Sequence, residues 1–203
     1  MSLFRLLAYA SPLLLGFGVA AALALTARRP AKHRAIATGG VVAALLLLLL
    51  LTSFSESPKY CGPLAAVLVS WSLLVAGIYM AAETAKVPRD LCQILAGLGA
   101  CFLMSTLFWM GPLIRAAADR GAAGDAIYRR ITLSMDVNPF FVIAYGVFDT
   151  DLLRVPFFYR MGMADFQHGT PSWGISSGGF AVAGLVFGLA ALAGRRRSRP
   201  AAP

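Results

Sequence analysis

The fold depends on how one stretch is read, residues 137–160, with the sequence VNPFFVIAYGVFDTDLLRVPFFYR. It begins like a membrane span and then, after twelve uncharged residues, meets Asp149, Asp151 and Arg154. A full crossing would bury these charges at about 2.5–3.5 kcal/mol each near the bilayer centre. An apolar run of about 10–14 residues is instead typical of a re-entrant or interfacial element. We therefore predict that this stretch enters the membrane from one face without crossing it.

Local signals within the stretch predict a short helix with defined ends. Asn138 suits the N-cap position and Pro139 the first helical position, where a missing N–H costs nothing. Asp149 and Asp151 are expected to stop the helix, with Arg154 placed to pair with Asp151. Pro156 then turns the chain back. The prediction is a re-entrant or interfacial helical hairpin.

Composition places the rest of the chain in a bilayer. The chain has 203 residues, of which 59% are hydrophobic and 13% charged, and its mean hydropathy is +0.73. A helix needs roughly 20 apolar residues to cross the hydrocarbon core. We predict an all-α integral membrane protein, one polytopic domain over 1–203, with five transmembrane helices at 8–27, 35–54, 63–82, 91–114 and 174–194.

The distribution of basic residues predicts the orientation. The net charge is +9, but the clusters lie beside span ends, at Arg28, Arg29, Lys32 and Arg34 and again at 195–199, which indicates membrane topology and excludes nucleic acid as the partner. We predict a retained first span, an external N-terminus, a cytoplasmic C-terminus and an inner (plasma) membrane location. Residues 115–173 then lie outside, with an amphipathic helix broken around 121–124.

Sequence motifs predict no catalytic, cofactor or metal site. GISSG at 174–178 matches the pattern of a nucleophile elbow, yet no histidine follows His168. The two histidines, His33 and His168, lie on opposite sides in this topology and cannot share a haem or a metal. The three cysteines form no CxxC pair. We expect a protein that is not an enzyme.

The C-terminal half, roughly 91–199, resembles the membrane subunits of type-2 ABC exporters. The similarity lies in the order of its elements: a span ending outside, the NPF-type short helix at Asn138 and Pro139, a polar outer stretch and a last span with a basic tail. The resemblance implies a permease driven by a separate cytoplasmic ATPase, since this chain has no phosphate-loop motif. The docking loop would hold Arg28, Arg29, Lys32 and Arg34. The chain departs from the family in lacking a sixth span and an N-terminal interface helix.

The alternative function is that of a non-catalytic structural or assembly subunit in a larger respiratory or photosynthetic complex. The absence of charges deep within the predicted spans fits such a subunit as well as it fits a permease. In both cases the expected partners are the lipid bilayer and other protein subunits. A membrane-embedded hydrolase is a third class, for which the sequence offers no complete catalytic set.

Overall fold

The computed structural model describes residues 2–53, 57–152 and 169–197, and all regular structure in these ranges is helical. The elements in chain order are α1 (Leu3–Leu25), α2 (Ala31–Thr52), a 3₁₀ turn (Pro58–Tyr60), α3 (Cys61–Thr84), α4 (Arg89–Met104), α5 (Thr106–Asp119), α6 (Gly124–Asp136), α7 (Pro139–Phe141) running into a π-helical turn (Val142–Val147), and α8 (Trp173–Arg197).

The prediction of an all-helical fold is confirmed for the described residues, and the long apolar helices are consistent with a multi-pass membrane protein. Four helices are long and apolar enough to cross a membrane: α1, α2, α3 with its preceding turn, and α8. A fifth crossing is present if α4 and α5, which bend by 44° at their junction, count as one span. The described residues therefore offer four or five spans.

The predicted fourth span at 91–114 is not one straight helix. α4 ends at Met104. The side-chain amide of Asn138 donates from Nδ2 to the Met104 carbonyl oxygen at 2.6 Å. The Ser105 hydroxyl donates to the Phe102 carbonyl at 3.0 Å, which also diverts a helical acceptor. These side chains take carbonyl groups that a continuing helix would use, so α5 leaves at an angle. Helix α4 has 16 residues and is therefore about 24 Å long.

Helices α3 and α8 lie side by side and run in the same direction. The rings of Trp71 and Phe180 meet with centroids 5.4 Å apart, and about three turns further on the Thr84 hydroxyl donates to the Ala191 carbonyl at 3.4 Å. The end of α8 therefore lies beside the end of α3, at the same end of the bundle as the α1–α2 turn. We call this the basic end.

The chain returns to the opposite end before α8 begins. The Asn138–Met104 hydrogen bond joins the start of α7 to the end of α4. A Cβ at Gly146 would lie 2.9 Å from the Trp173 nitrogen, so the π-helical turn touches the start of α8. The described parts of 105–172 thus begin and end at the same end of the bundle.

Buried hydrogen bonds repair the backbone of α1 at its internal proline. Pro12 has no N–H for the Ala8 carbonyl, and the Ser11 hydroxyl donates to that oxygen at 2.6 Å instead. The indole Nε1–H of the fully buried Trp71 donates to the Pro12 carbonyl at 2.9 Å. The Ser11 bond satisfies a carbonyl that would be costly to leave unpaired in an apolar medium. The Trp71 bond joins α3 to α1.

The predicted break near 121–124 is confirmed. Gly121 has a φ of +79°, which glycine adopts without strain. The Ala122 N–H donates to the Ala117 carbonyl at 3.0 Å, which closes α5 in the manner of a Schellman motif. Helix α6 then folds back on α5, and Ile114, Ile127 and Ile131 share a small core.

Helix α2 lies at the edge of the bundle. Only Leu49 of its residues is buried, although α2 is apolar enough to cross a membrane. It packs mainly against α1, and the approach is closest where a Cβ on Gly18 would lie 3.0 Å from Val41 Cγ1. Most of its leucine-rich surface, including Leu47, Leu50 and Leu51, faces away from the other helices.

Candidate functional site

Residues 138–151 of the stretch that decides the fold form what we call the plug, at the end of the bundle opposite the basic end, and residues 138–148 of it are buried or partly buried. Asn138 is the N-cap, and its Oδ1 accepts from the Phe140 N–H at 3.1 Å. Pro139 occupies the first helical turn. The predicted cap and proline position are therefore confirmed. The entry of the plug into a membrane stays a prediction.

The plug changes from α-helix to π-helix after Phe141. Each π turn adds a residue relative to an α-helix, and such turns are rare and frequent at functional sites. Val142, Ile143 and Ala144 have no exposed surface. The first residues of the π-helical turn thus fill this end of the bundle with apolar side chains.

Aromatic rings hold the end of the plug. The Phe148 ring meets three others edge-on, at centroid distances of 5.8 Å to Phe4, 5.6 Å to Tyr9 and 5.2 Å to Tyr60. The Arg5 guanidinium lies 5.3 Å from the centre of the same ring. Edge-to-face geometry is the favoured arrangement of aromatic pairs. The plug therefore joins the first turns of α1 and α3.

Asp149 and Asp151 lie where the sequence predicted the helix to stop. Asp149 has a φ of +51°, in the left-handed region that ends helices. The Tyr145 hydroxyl donates to Asp151 Oδ1, so this carboxylate is tied to the plug. Arg154, the third predicted charge, and His168 lie outside the described residues.

The GISSG serine meets an acid, which the sequence did not predict. The Ser176 hydroxyl donates to Asp136 Oδ1 at 3.3 Å, joining the end of α6 to the first turn of α8. Burial raises the pKa of the Asp136 carboxyl, and the hydrogen bond from Ser176 partly opposes that rise. No group of three histidine, cysteine or acidic side chains in the described ranges could hold a metal.

At the basic end, Arg34 links three helices. Its guanidinium forms a forked pair with Glu83 of α3, with Nη1–Oε2 at 2.8 Å and Nη2–Oε1 at 2.9 Å. It also donates from Nε to the Thr26 carbonyl at 3.3 Å and from Nη2 to the Ala27 carbonyl. Arginine matches a carboxylate in this two-point geometry, and here it also caps the end of α1.

The four residues of the predicted docking loop have different surroundings. The Arg34 side chain is 15% exposed and is used inside the bundle. Arg28, Arg29 and Lys32 are exposed. These three residues form what we call the basic cluster. The structure thus separates one structural arginine from three basic side chains that face outward.

A largely apolar groove runs between α2 and α3 and reaches the first turn of α2, the turn that also carries Lys32. Its volume is about 580 Å³, within the roughly 300–1,000 Å³ typical of ligand pockets. One face of α2 forms a wall through Ala31, Ala35, Gly39, Val42 and Leu46. The opposite wall is α3, and Arg34 lies at the mouth. We call this the α2–α3 groove.

The two sets of predicted site residues lie at opposite ends of the molecule. The plug contains Asn138, Pro139, Asp149 and Asp151. The basic cluster lies at the other end, after the end of α1. Sequence reasoning missed the Arg34–Glu83 pair and the α2–α3 groove. The recurrence of small residues on one face of α2, at 31, 35 and 39, was the available signal for the groove.

Comparison with known proteins assigns no family, because no family model matches the chain and no curated protein or solved structure matches it.

Proposed function

We propose that this chain is a permease-like membrane subunit of an ABC-type export system, working with a separate ATPase. The observation that carries the proposal is the plug, a short capped helix packed into one end of the bundle directly before the last long helix. This order of elements is the one that resembles type-2 ABC exporters. In this proposal the chain has no catalytic activity of its own.

The proposal includes a five-span topology in an inner (plasma) membrane. In this topology α1, α2, α3, the bent pair α4–α5 and α8 cross the membrane, and α6 and the plug stay outside. The parallel packing of α3 and α8 supports this topology, since both must then run from outside to cytoplasm. The basic end is cytoplasmic in agreement with the positive-inside rule.

The topology is tested by cysteine labelling. In a chain whose Cys61, Cys92 and Cys101 are replaced with serine, we expect Thr150→Cys to react with an impermeant maleimide in intact cells. His33→Cys should react only after permeabilisation, because it follows the basic cluster. Labelling of Ser198→Cys from the same side as Thr150→Cys would overturn the five-span topology.

The basic cluster supports the docking of an ATPase at the cytoplasmic end. Arg28, Arg29 and Lys32 are exposed, and charged surface residues of this kind steer and orient partner binding. The Arg34–Glu83 pair holds the first turn of α2, which carries Lys32, against the end of α3. A force on this surface would therefore reach three helices at once.

Purification from native membranes tests the partner. We expect the full chain, extracted in mild detergent, to bring down an ATPase that carries a phosphate-loop motif. Neutralising the basic cluster (Arg28→Gln, Arg29→Gln, Lys32→Gln) should lower its yield by about fivefold or more. Lys59→Gln, an exposed charge at the opposite end, serves as the matched control and should leave the yield unchanged.

The second candidate is a structural or assembly subunit of a larger respiratory or photosynthetic complex. The specific observation that favours it is the exposure of α2, because only 6% of the residues in its most apolar segment are buried. Such a helix is available to pack against other membrane subunits. Recovery of electron-transfer subunits without an ATPase would support this candidate and reject the permease.

A further inference from the structure

The α2–α3 groove has the length and wall chemistry of a site for an acyl chain. Its α2 wall extends from Ala31 to Leu46, which is about 22 Å at 1.5 Å per residue. Across from it are Val69, Leu73, Ala76 and Met80 of α3. Small residues on α2 leave the space open, and no atom lies within 4 Å of where a Cβ on Gly39 would be.

The end of the groove near the start of α2 is polar, because Arg34 lines it. The basic cluster lies within three residues of the start of α2 along the chain. Glu83 balances the charge of Arg34 through the forked pair. Arg28, Arg29 and Lys32 are exposed at the same end of the bundle, next in sequence to the lining residues Ala31 and Arg34.

We propose that the α2–α3 groove binds one anionic phospholipid, with an acyl chain along α2 and the phosphate headgroup at the basic cluster. Apolar walls that end in several cations complement an amphiphile with a negatively charged head, and basic pockets between membrane helices are known to select such headgroups. The proposal holds whether the chain transports a substrate or serves as a structural subunit.

The bound lipid would also explain how α2 is held. α2 buries one residue in the bundle, and its close contact with α1 is at Gly18 and Val41. A chain in the groove would contact α2 and α3 together along several turns. Dispersion contacts of this kind are small singly and large in sum.

Native mass spectrometry of the purified, delipidated full chain tests the proposal. The probes are phosphatidylglycerol and phosphatidylcholine with identical dioleoyl chains. We expect one phosphatidylglycerol to be retained, with about a tenfold or greater preference over phosphatidylcholine, since each cation near the headgroup contributes roughly a fivefold effect. Neutralising the basic cluster to glutamine should reduce the preference to about one.

Adjacent glycines give a matched pair of groove variants. Gly39 lines the groove and Gly40 does not, yet both are exposed and have open space at the Cβ position. Gly39→Phe should abolish the retained lipid, and Gly40→Phe should keep it. If Gly39→Phe fails to give a monodisperse protein, Ala35→Phe blocks the same groove nearer its mouth.

Three outcomes would overturn the proposal. The first is equal lipid retention by Gly39→Phe and Gly40→Phe. The second is equal retention of the two headgroups by the unmodified chain, which would mean annular lipid only. The third is a groove occupied by a protein helix in the purified complex. Loss of lipid in Gly39→Phe with normal ATPase recovery would leave the proposed function standing, because the substitution leaves the basic cluster intact.

Discussion

Replacing Arg34 with methionine is expected to destabilise the protein by about 3 kcal/mol, because the substitution removes a forked ion pair whose two side chains are largely buried. It also removes the donors that reach the Thr26 and Ala27 carbonyls at the end of α1. Methionine keeps much of the apolar volume, so the loss reports on charge and hydrogen bonding. Thermal unfolding in detergent, followed by circular dichroism, measures the effect.

Three further variants separate the contributions to this cost. Arg34→Lys keeps the charge but not the fork, and we expect about half the loss. Glu83→Met should cost less than Arg34→Met, since the guanidinium keeps its carbonyl acceptors on α1. The double methionine variant removes both charges and should cost less than the sum of the singles. Strict additivity would show that the pair does not couple α2 to α3.

The Arg34–Glu83 pair illustrates what the sequence could not predict. Arg34 belongs to a run of four basic residues and was predicted to face outward with the rest, and Glu83 lies at the end of a span where water is within reach. Both local interpretations are physically sound. The pairing joins residues 49 positions apart, and it depends on how α1 ends beside α3, which no local pattern encodes.

The long helices were predictable, because length and apolarity alone decide whether a segment can cross a bilayer. The Asn138 cap and Pro139 were predictable for the same local reason. The bend at Ser105 was not, since the apolar run continues through it to Ile114. Its cause, the donation from Asn138 to the Met104 carbonyl, comes from 34 residues away.

The candidate site also has one part that local sequence predicts and one part that it does not. Exposure of Arg28, Arg29 and Lys32 follows from their place at a span flank. The α2–α3 groove depends on the packing of α2 against α1, which leaves a gap toward α3. Hydrophobic periodicity does not predict that gap, because a helix surface that faces lipid and one that faces a groove carry the same residue types.

Among the glycines of α8, Gly184 marks the closest approach to the backbone of α3. A Cβ at Gly184 would lie 2.6 Å from the carbonyl carbon and oxygen of Leu73, and one at Gly77 would lie 2.6 Å from the Gly184 oxygen. The backbones of α3 and α8 therefore touch at this point. The close approach is used within the chain, in the manner of small-residue contacts between membrane helices.

Gly184→Ala is accordingly expected to destabilise the protein by about 2–3 kcal/mol, as overpacked contacts do, and to lower the Tm by about 5–10 °C. The obstacle is backbone, which cannot rotate away as a side chain can. Gly188→Ala and Gly178→Ala are matched controls on the same helix, because Gly188 faces only the flexible end of Met80 at 3.4 Å and Gly178 has open space.

The three alanine substitutions gain the same helix propensity, about 1 kcal/mol each, so their differences isolate the contact with α3. We expect Gly178→Ala and Gly188→Ala to match or exceed the unmodified protein in Tm. A Gly184→Ala protein as stable as these controls would mean that α8 can move away from α3 at little cost. Such freedom would contradict the fixed α3–α8 pair, and with it the shared direction of the two helices that supports a cytoplasmic C-terminus.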